Sequence, residues 1–268
     1  MKLKKLLTIG SLILFTALTG CASQSETTDN DTLTIYFARH GKTLFNTFDL
    51  VQGWADSPLT EQGIKVAKYL GEGLKDIHFD AYYTSDAGRQ RQTMQVITTQ
   101  METKNYSLNE LTGLREVFYG GFEGQTNSNM VTASIKYLGY TSKATFFDAY
   151  KQGKIPVKDL TNAIAKADSK KMAENYQQVK SRTRDALNTI VQKSLKHGDK
   201  TVLAISSGMS MQIMIDDLTD DINKNKPLGN ATIVKITYKN GQYHIDEIGS
   251  KAYVSRGELA LKKIASLN

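Results

Sequence analysis

The stretch "TVLAISSGMSMQIM", Thr201 to Met214, runs from an apolar segment through Ser206-Ser207-Gly208 directly into a second apolar segment. Six residues rich in Val, Leu and Ile, broken by a small polar turn, read as a buried strand delivered into a helix. Strand-to-helix turns of this kind build open α/β sheets, and ligands of such sheets bind at the carboxyl ends of their strands. Ser207, at that turn, has three readings: nucleophile, phosphate contact or helix cap.

The same pattern recurs upstream. "LTIYFA" (33–38) is a short apolar run ending in Arg39-His40-Gly41, and "AYYTS" (81–85) leads into "DAGRQRQTMQVITTQM". Between them, Thr60 caps "EQGIKVAKYLGEGL", whose apolar residues Ile64, Ala67, Leu70 and Leu74 recur at helical spacing. This β-α-β-α order predicts a three-layer α/β/α domain around a mostly parallel sheet. "MAENYQQVKSRTRDALNTIVQKSL" is the longest expected helix, and Asn240-Gly241 closes a β-hairpin between "ATIVKITYK" and "QYHIDEIG". Residues 125–170, polar with scattered aromatics, are expected to form a helical insertion over one edge of the sheet. They suit a lid and a purely structural subdomain equally well.

The N-terminus sets the expected compartment. Lys2, Lys4 and Lys5 precede a mostly apolar run from Leu6 to Leu18, followed by Leu18-Thr19-Gly20-Cys21. This order reads as a secretory signal over residues 1–20, too short for a membrane span of about 20 apolar residues. Cys21, the single cysteine of the chain, resembles the acceptor of a bacterial lipobox. Acylated there, the protein would be extracytoplasmic and lipid-anchored to the outer face of the bacterial cytoplasmic membrane, with residues 21–32 as a polar tether. Loss of the signal removes three of the 34 basic residues and lowers the formal charge from +7 to +4. That is too mild to argue for a nucleic-acid partner. One domain over residues 33–250, with 251–268 as a C-terminal extension, accounts for the remainder.

Three polar clusters thus sit at the ends of three expected strands: Arg39-His40, Ser85 to Arg89, and Ser206-Ser207-Gly208. Guanidinium forks match phosphate oxygens in pairs, so Arg39 and Arg89 beside His40 describe an anion pocket with a nucleophile at its floor. Their charge would also disfavour protonation of the imidazole. No histidine pair or Cys/His cluster has the spacing of metal ligands, so no metal and no other cofactor is expected.

Five segments in order, "FARHGKTLFN" (37–46), "DSPLTEQG" (56–63), "TSDAGRQRQT" (84–93), "LREVFYGGFEG" (114–124) and "LAISSG" (203–208), resemble the histidine phosphatase superfamily with its phosphoglycerate mutase-like fold. The resemblance implies that His40 is the phosphorylated histidine, that Arg39 and Arg89 bind phosphate, that Asn46 contacts phosphate or substrate, and that Glu116 is the proton donor. Arg91 is the competitor for the role of Arg89, a surface pair with Arg115 the alternative for Glu116. Glu123 is expected to serve a structural turn, and His78, His197 and His244 to be incidental. The family pattern ends the later strand in Ser-His-Gly, where the second histidine donates to the phosphoryl group; here that position is Ser207, followed by Gly208. The implied activity is hydrolysis of a phosphorylated small molecule, slowed by the missing imidazole. The alternative is a weakened member that binds an anionic ligand at the cell surface.

Overall fold

The computed structural model describes residues 32–267. The signal, the acceptor Cys21 and nearly all of the tether lie outside the described residues. Six strands, β1 (Thr32–Arg39), β2 (Ala81–Thr84), β3 (Leu108–Glu110), β4 (Thr201–Ser206), β5 (Ile233–Lys239) and β6 (Gln242–Ser250), form one sheet in the order β3-β2-β4-β1-β5-β6. The first four in that order are mutually parallel, β5 runs antiparallel to β1, and β6 antiparallel to β5. β1, β2 and β4 therefore end at the same rim, which brings the three polar clusters together.

The helices are α1 (Leu44–Thr47), α2 (Glu61–Leu74), α3 (Gly88–Gln100), α4 (Asn127–Ser134), α5 (Lys143–Lys151), α6 (Val157–Ala167), α7 (Tyr176–His197), α8 (Gly208–Ile215) and α9 (Ala252–Leu267). Alternation along β1 shows the layering. Leu33, Ile35 and Phe37 pack with Leu187 and Ile190 of α7 and Met211 of α8. Tyr36 and Ala38 pack on the other face with Leu70 of α2 and Met94 of α3. Burial on both faces explains why the parallel strands read as continuous apolar runs.

Local chemistry sets the element ends. The Thr60 hydroxyl accepts from the Gly63 amide at 3.1 Å and so caps α2. Asn175 and Gln178 cap α7 reciprocally, and Gly198 ends it with φ +80°. Asn240 and Gly241 both adopt positive φ, as a two-residue hairpin turn requires.

The segment between β3 and α7 builds a third apolar cluster over the strand-end rim. Met130, Val131, Phe146, Leu160 and Ile164 from α4, α5 and α6 pack there against Val117, Tyr119 and Met209. Residues 125–170 are thus largely helical, and they cover the rim. The C-terminal extension is also helical: α9 lies along α2, with Gly73 and Gly257 at the crossing. A Cβ on Gly73 would meet the Tyr253 carbonyl at 1.8 Å, and one on Gly257 the Tyr69 carbonyl at 1.9 Å.

Candidate active site

His40 follows the last residue of β1 and is buried. The turn that carries it is pressed against α2, where a Cβ on Gly63 would lie 2.1 Å from the Lys42 carbonyl. The Gly41 amide donates to the Thr93 hydroxyl at 3.0 Å, and that hydroxyl donates to the Arg89 carbonyl at 2.7 Å, so the turn is tied to α3. The imidazole Nδ1 lies 2.8 Å from the Gly41 carbonyl. A carbonyl only accepts, so Nδ1 carries the proton and Nε2 the lone pair. Burial first, then the charges of Arg89 and Arg39, hold the imidazole pKa well below 6.5.

Both arginines are anchored by part of their donors and leave the rest free. Arg89 is fully buried. Its Nη1 donates to the Ala55 carbonyl at 3.2 Å and to Asp56 Oδ1 at 2.9 Å, and its Nη2 to the Gly53 carbonyl at 2.7 Å. Arg39 donates through Nη1 to the Leu228 carbonyl. The Nε–H of each is buried without a partner among the described residues. An unmatched buried donor on a cation is costly, and with both charges acting on one neutral imidazole the surroundings of His40 favour an anion. Arg91 is not part of it: its guanidinium pairs with Glu110 at the surface.

Glu116 carries its carboxylate on the first turn of α8, and its carbonyl accepts from Trp54 Nε1, in the loop that anchors Arg89, at 3.0 Å. Oε1 accepts from the Val117 amide at 2.9 Å and the Ser210 amide at 2.8 Å, and Oε2 from the Met209 amide at 3.1 Å. Among its charged neighbours Arg39 feels Glu116 most strongly. The backbone of Glu116 is fixed from behind by Arg182, which donates to the Glu116 carbonyl at 2.8 Å while paired with Glu174. Arg115 pairs with Asp86 rather than with Glu116.

Arg39, His40, Asn46, Glu116 and Gly208 line one cavity of about 290 Å³, together with residues of α4, α5 and α6. Asn46 Oδ1 closes a capping box with Thr43 and accepts from Asn230 Nδ2 at 3.3 Å; the same Nδ2 reaches the His40 carbonyl at 3.0 Å. Gly208 opens α8 close to Arg39, where an added Cβ would lie 3.4 Å from Nε. Arg89 and Ser207 are fully buried and do not contribute to the cavity wall. The Ser207 hydroxyl accepts from Gln90 Nε2 at 3.0 Å and does not cap α8.

His78 and His197 line an open depression beside the C-terminal ends of α2, α3 and α7, away from this cavity. His244 lies on the outermost strand, β6. Glu123, set aside in the sequence as structural, accepts four backbone N–H groups: those of Gly53, Trp54, Ala55 and Tyr119, at 2.9 to 3.1 Å. It shapes the loop whose carbonyls hold Arg89. Asp56 stands in the quoted "DSPLTEQG" and Gln90 in "TSDAGRQRQT", but their partners, 33 and 117 residues away, left no local signal.

A profile of the histidine phosphatase superfamily (branch 1) matches residues 35–141 and 138–251. The broad-specificity phosphatase YOR283W of Saccharomyces cerevisiae is 22% identical over 242 residues, covering 88% of this chain and 94% of that protein. The probable phosphoglycerate mutase GpmB of Erwinia tasmaniensis is 23% identical over 214 residues, covering 79% and 87%. Among solved structures, phosphoglycerate mutase from Bacillus anthracis str. Sterne superposes with a TM-score of 0.80 at 35% identity, over 86% of this chain and 98% of that one. The fold is phosphoglycerate mutase-like, and the chain belongs to the histidine phosphatase superfamily.

Proposed function

We propose that the protein is a phosphomonoesterase that works through a phosphohistidine at His40. The observation that carries this reading is a buried imidazole held neutral beside two arginines, with the Nε–H of Arg39, a residue of the cavity wall, unmatched among the described residues. A phosphoryl group over His40 supplies the acceptor that donor lacks. The bound phosphomonoester, entering as its monoanion, hands its proton to Glu116; His40 Nε2 then attacks phosphorus, the bond to the ester oxygen breaks, and Glu116 gives that proton to the departing alkoxide. The Glu116 carboxylate then takes a proton from water. The hydroxide oxygen bonds to phosphorus, the N–P bond breaks, and inorganic phosphate leaves with His40 again neutral.

Ser207 makes the turnover slow in this reading. The Ser207 hydroxyl is held by Gln90 and buried off the cavity wall, so it offers the phosphoryl group no direct donor in this arrangement. A hydroxyl lacks the charge of an imidazolium, and loss of a preorganised donor costs on the order of 10²–10³ in rate. The same burial of Ser207 away from the cavity wall supports a second reading, a surface protein that retains a phosphorylated ligand without turning it over.

Incubation with a generic phosphomonoester separates the two. Acid-labile phosphate mapped to His40, with inorganic phosphate released and both lost in His40→Ala, supports the enzyme; an unmodified protein that still binds phosphate supports the binder. The proposed location is the outer face of the cytoplasmic membrane, held by acyl chains on Cys21. Cys21→Ala should release the protein from the membrane fraction or leave its precursor unprocessed, and unchanged fractionation would reject the anchor.

A further inference from the structure

The cavity over His40 carries an uneven distribution of charge. Among the described residues Arg39 is the one cation in its lining, and no described lysine lines it. Its anionic side chains are Glu116, on the floor, and Asp49, on the wall beside α1; the remaining polar lining groups are neutral. The roof is apolar and aromatic. Met130, Val131, Phe146, Phe147, Leu160 and Ile164 face the space, and the stacked rings of Phe146 and Tyr150, 5.9 Å apart, stiffen it.

We propose that the site selects phosphomonoesters with an uncharged, apolar leaving group, aromatic or branched, and rejects those bearing a second anionic group. This rests on the hydrolase reading above and names its substrate class. Once the phosphoryl group has taken Arg39 and the field of Arg89, no cation among the described residues remains on the wall for a carboxylate or a second phosphate. Such a group would lie against apolar side chains or face Asp49, unpaired in either case. An apolar group instead loses its hydration against a roof that offers it dispersion contacts. A bisphosphate or a carboxylated phosphate, as a mutase of such substrates would handle, has no matching wall here.

Non-hydrolysable phosphonates test selectivity apart from catalysis. In calorimetric titrations of the full chain, benzylphosphonate should bind at least about tenfold more tightly than phosphonoacetate, the neutral ring being accommodated and the carboxylate not. Asp49→Asn should narrow that ratio by improving phosphonoacetate, and Phe147→Ser should narrow it by weakening benzylphosphonate relative to inorganic phosphate. Equal affinities, or tighter binding of phosphonoacetate, would overturn the proposal. The two readings fail separately: selective binding with no turnover of aryl phosphates rejects the hydrolase and keeps this specificity, whereas turnover with a preference for carboxylated phosphates does the reverse.

Discussion

Arg89 and Asp56 form an ion pair, Nη1 to Oδ1 at 2.9 Å, in which the arginine side chain is wholly buried and the aspartate 34% exposed. With the carbonyls of Gly53 and Ala55, the aspartate occupies both terminal nitrogens of the guanidinium, and the Nε–H is left without a partner among the described residues. Arg91, two residues on, faces solvent and pairs with Glu110.

This pairing predicts a sharp contrast between the two arginines. Arg89→Ala should weaken vanadate or phosphate binding by about 1.5–3 kcal/mol, the value of a hydrogen bond to a charged group. It should also lower stability, because Asp56 and two carbonyls lose their partner. Arg91→Ala should leave anion affinity within about 0.5 kcal/mol of wild type, as an exposed pair contributes little. Titration of both variants with vanadate, below their unfolding temperatures, checks this; a larger loss in Arg91→Ala would reassign the phosphate arginine.

His40 predicts a pH dependence of stability. In the unfolded chain its imidazole takes up a proton near pH 6.5, while in the folded protein burial and the two arginines keep it uncharged to well below that value. The unfolded state then binds more protons, so the contribution of His40 to stability is present above pH 6.5 and is lost as pH falls toward the folded value. His40→Asn should flatten the decline of melting temperature below pH 6.5 relative to wild type. Parallel curves for the two proteins would show that the ring is not held neutral.

Much of this site was legible in the sequence because its parts are local. A strand ending in Arg39-His40-Gly41, a Thr60 cap and an Asn240-Gly241 turn each depend on a few adjacent residues, and the parallel pairing of β1, β2 and β4 then fixes the convergence. What stayed hidden is non-local. Glu123 reads as one more turn carboxylate until the fold brings four amides of two segments onto it, and Asn230 meets His40 across 190 residues. β3, three residues long, is too short to show alternation. α9 reads from sequence only as an extension, because the approach of Gly73 to Gly257, each where only a missing side chain permits the crossing, joins segments far apart in the chain.

Glu123 predicts an effect on the phosphate site without touching it. Its two oxygens accept from Gly53, Trp54, Ala55 and Tyr119, and Glu123→Gln would turn an amide donor toward backbone donors. Loss of stability by about 2–4 kcal/mol is expected from broken charge-assisted hydrogen bonds, together with weaker vanadate binding as the Gly53–Ala55 loop loosens its hold on Arg89. Glu123→Gln with full vanadate affinity would show that the loop positions Arg89 without this carboxylate.

Ser207 carries the last prediction. Its hydroxyl is fully buried and receives the Gln90 amide, whose oxygen in turn accepts from the Ser85 amide at 3.0 Å. Gln90 therefore fills space that a larger side chain at position 207 would need. Ser207→His alone should pack poorly against Gln90, whereas Ser207→His with Gln90→Ala gives the ring room and returns a charged donor to the end of β4. If the site has kept its nucleophile and lost one donor, the double variant should raise turnover by as much as about 10²-fold. The gain should lie in kcat more than in KM, because the added interaction strengthens as charge builds on the phosphoryl oxygens. Gln90→Ala alone separates the effect of space from that of the imidazole and should not raise the rate. Steady-state kinetics on an aryl phosphate, with vanadate affinity measured in parallel, decides the matter: a double variant that folds, binds vanadate and gains no rate would mean that position 207 no longer addresses the transferring group.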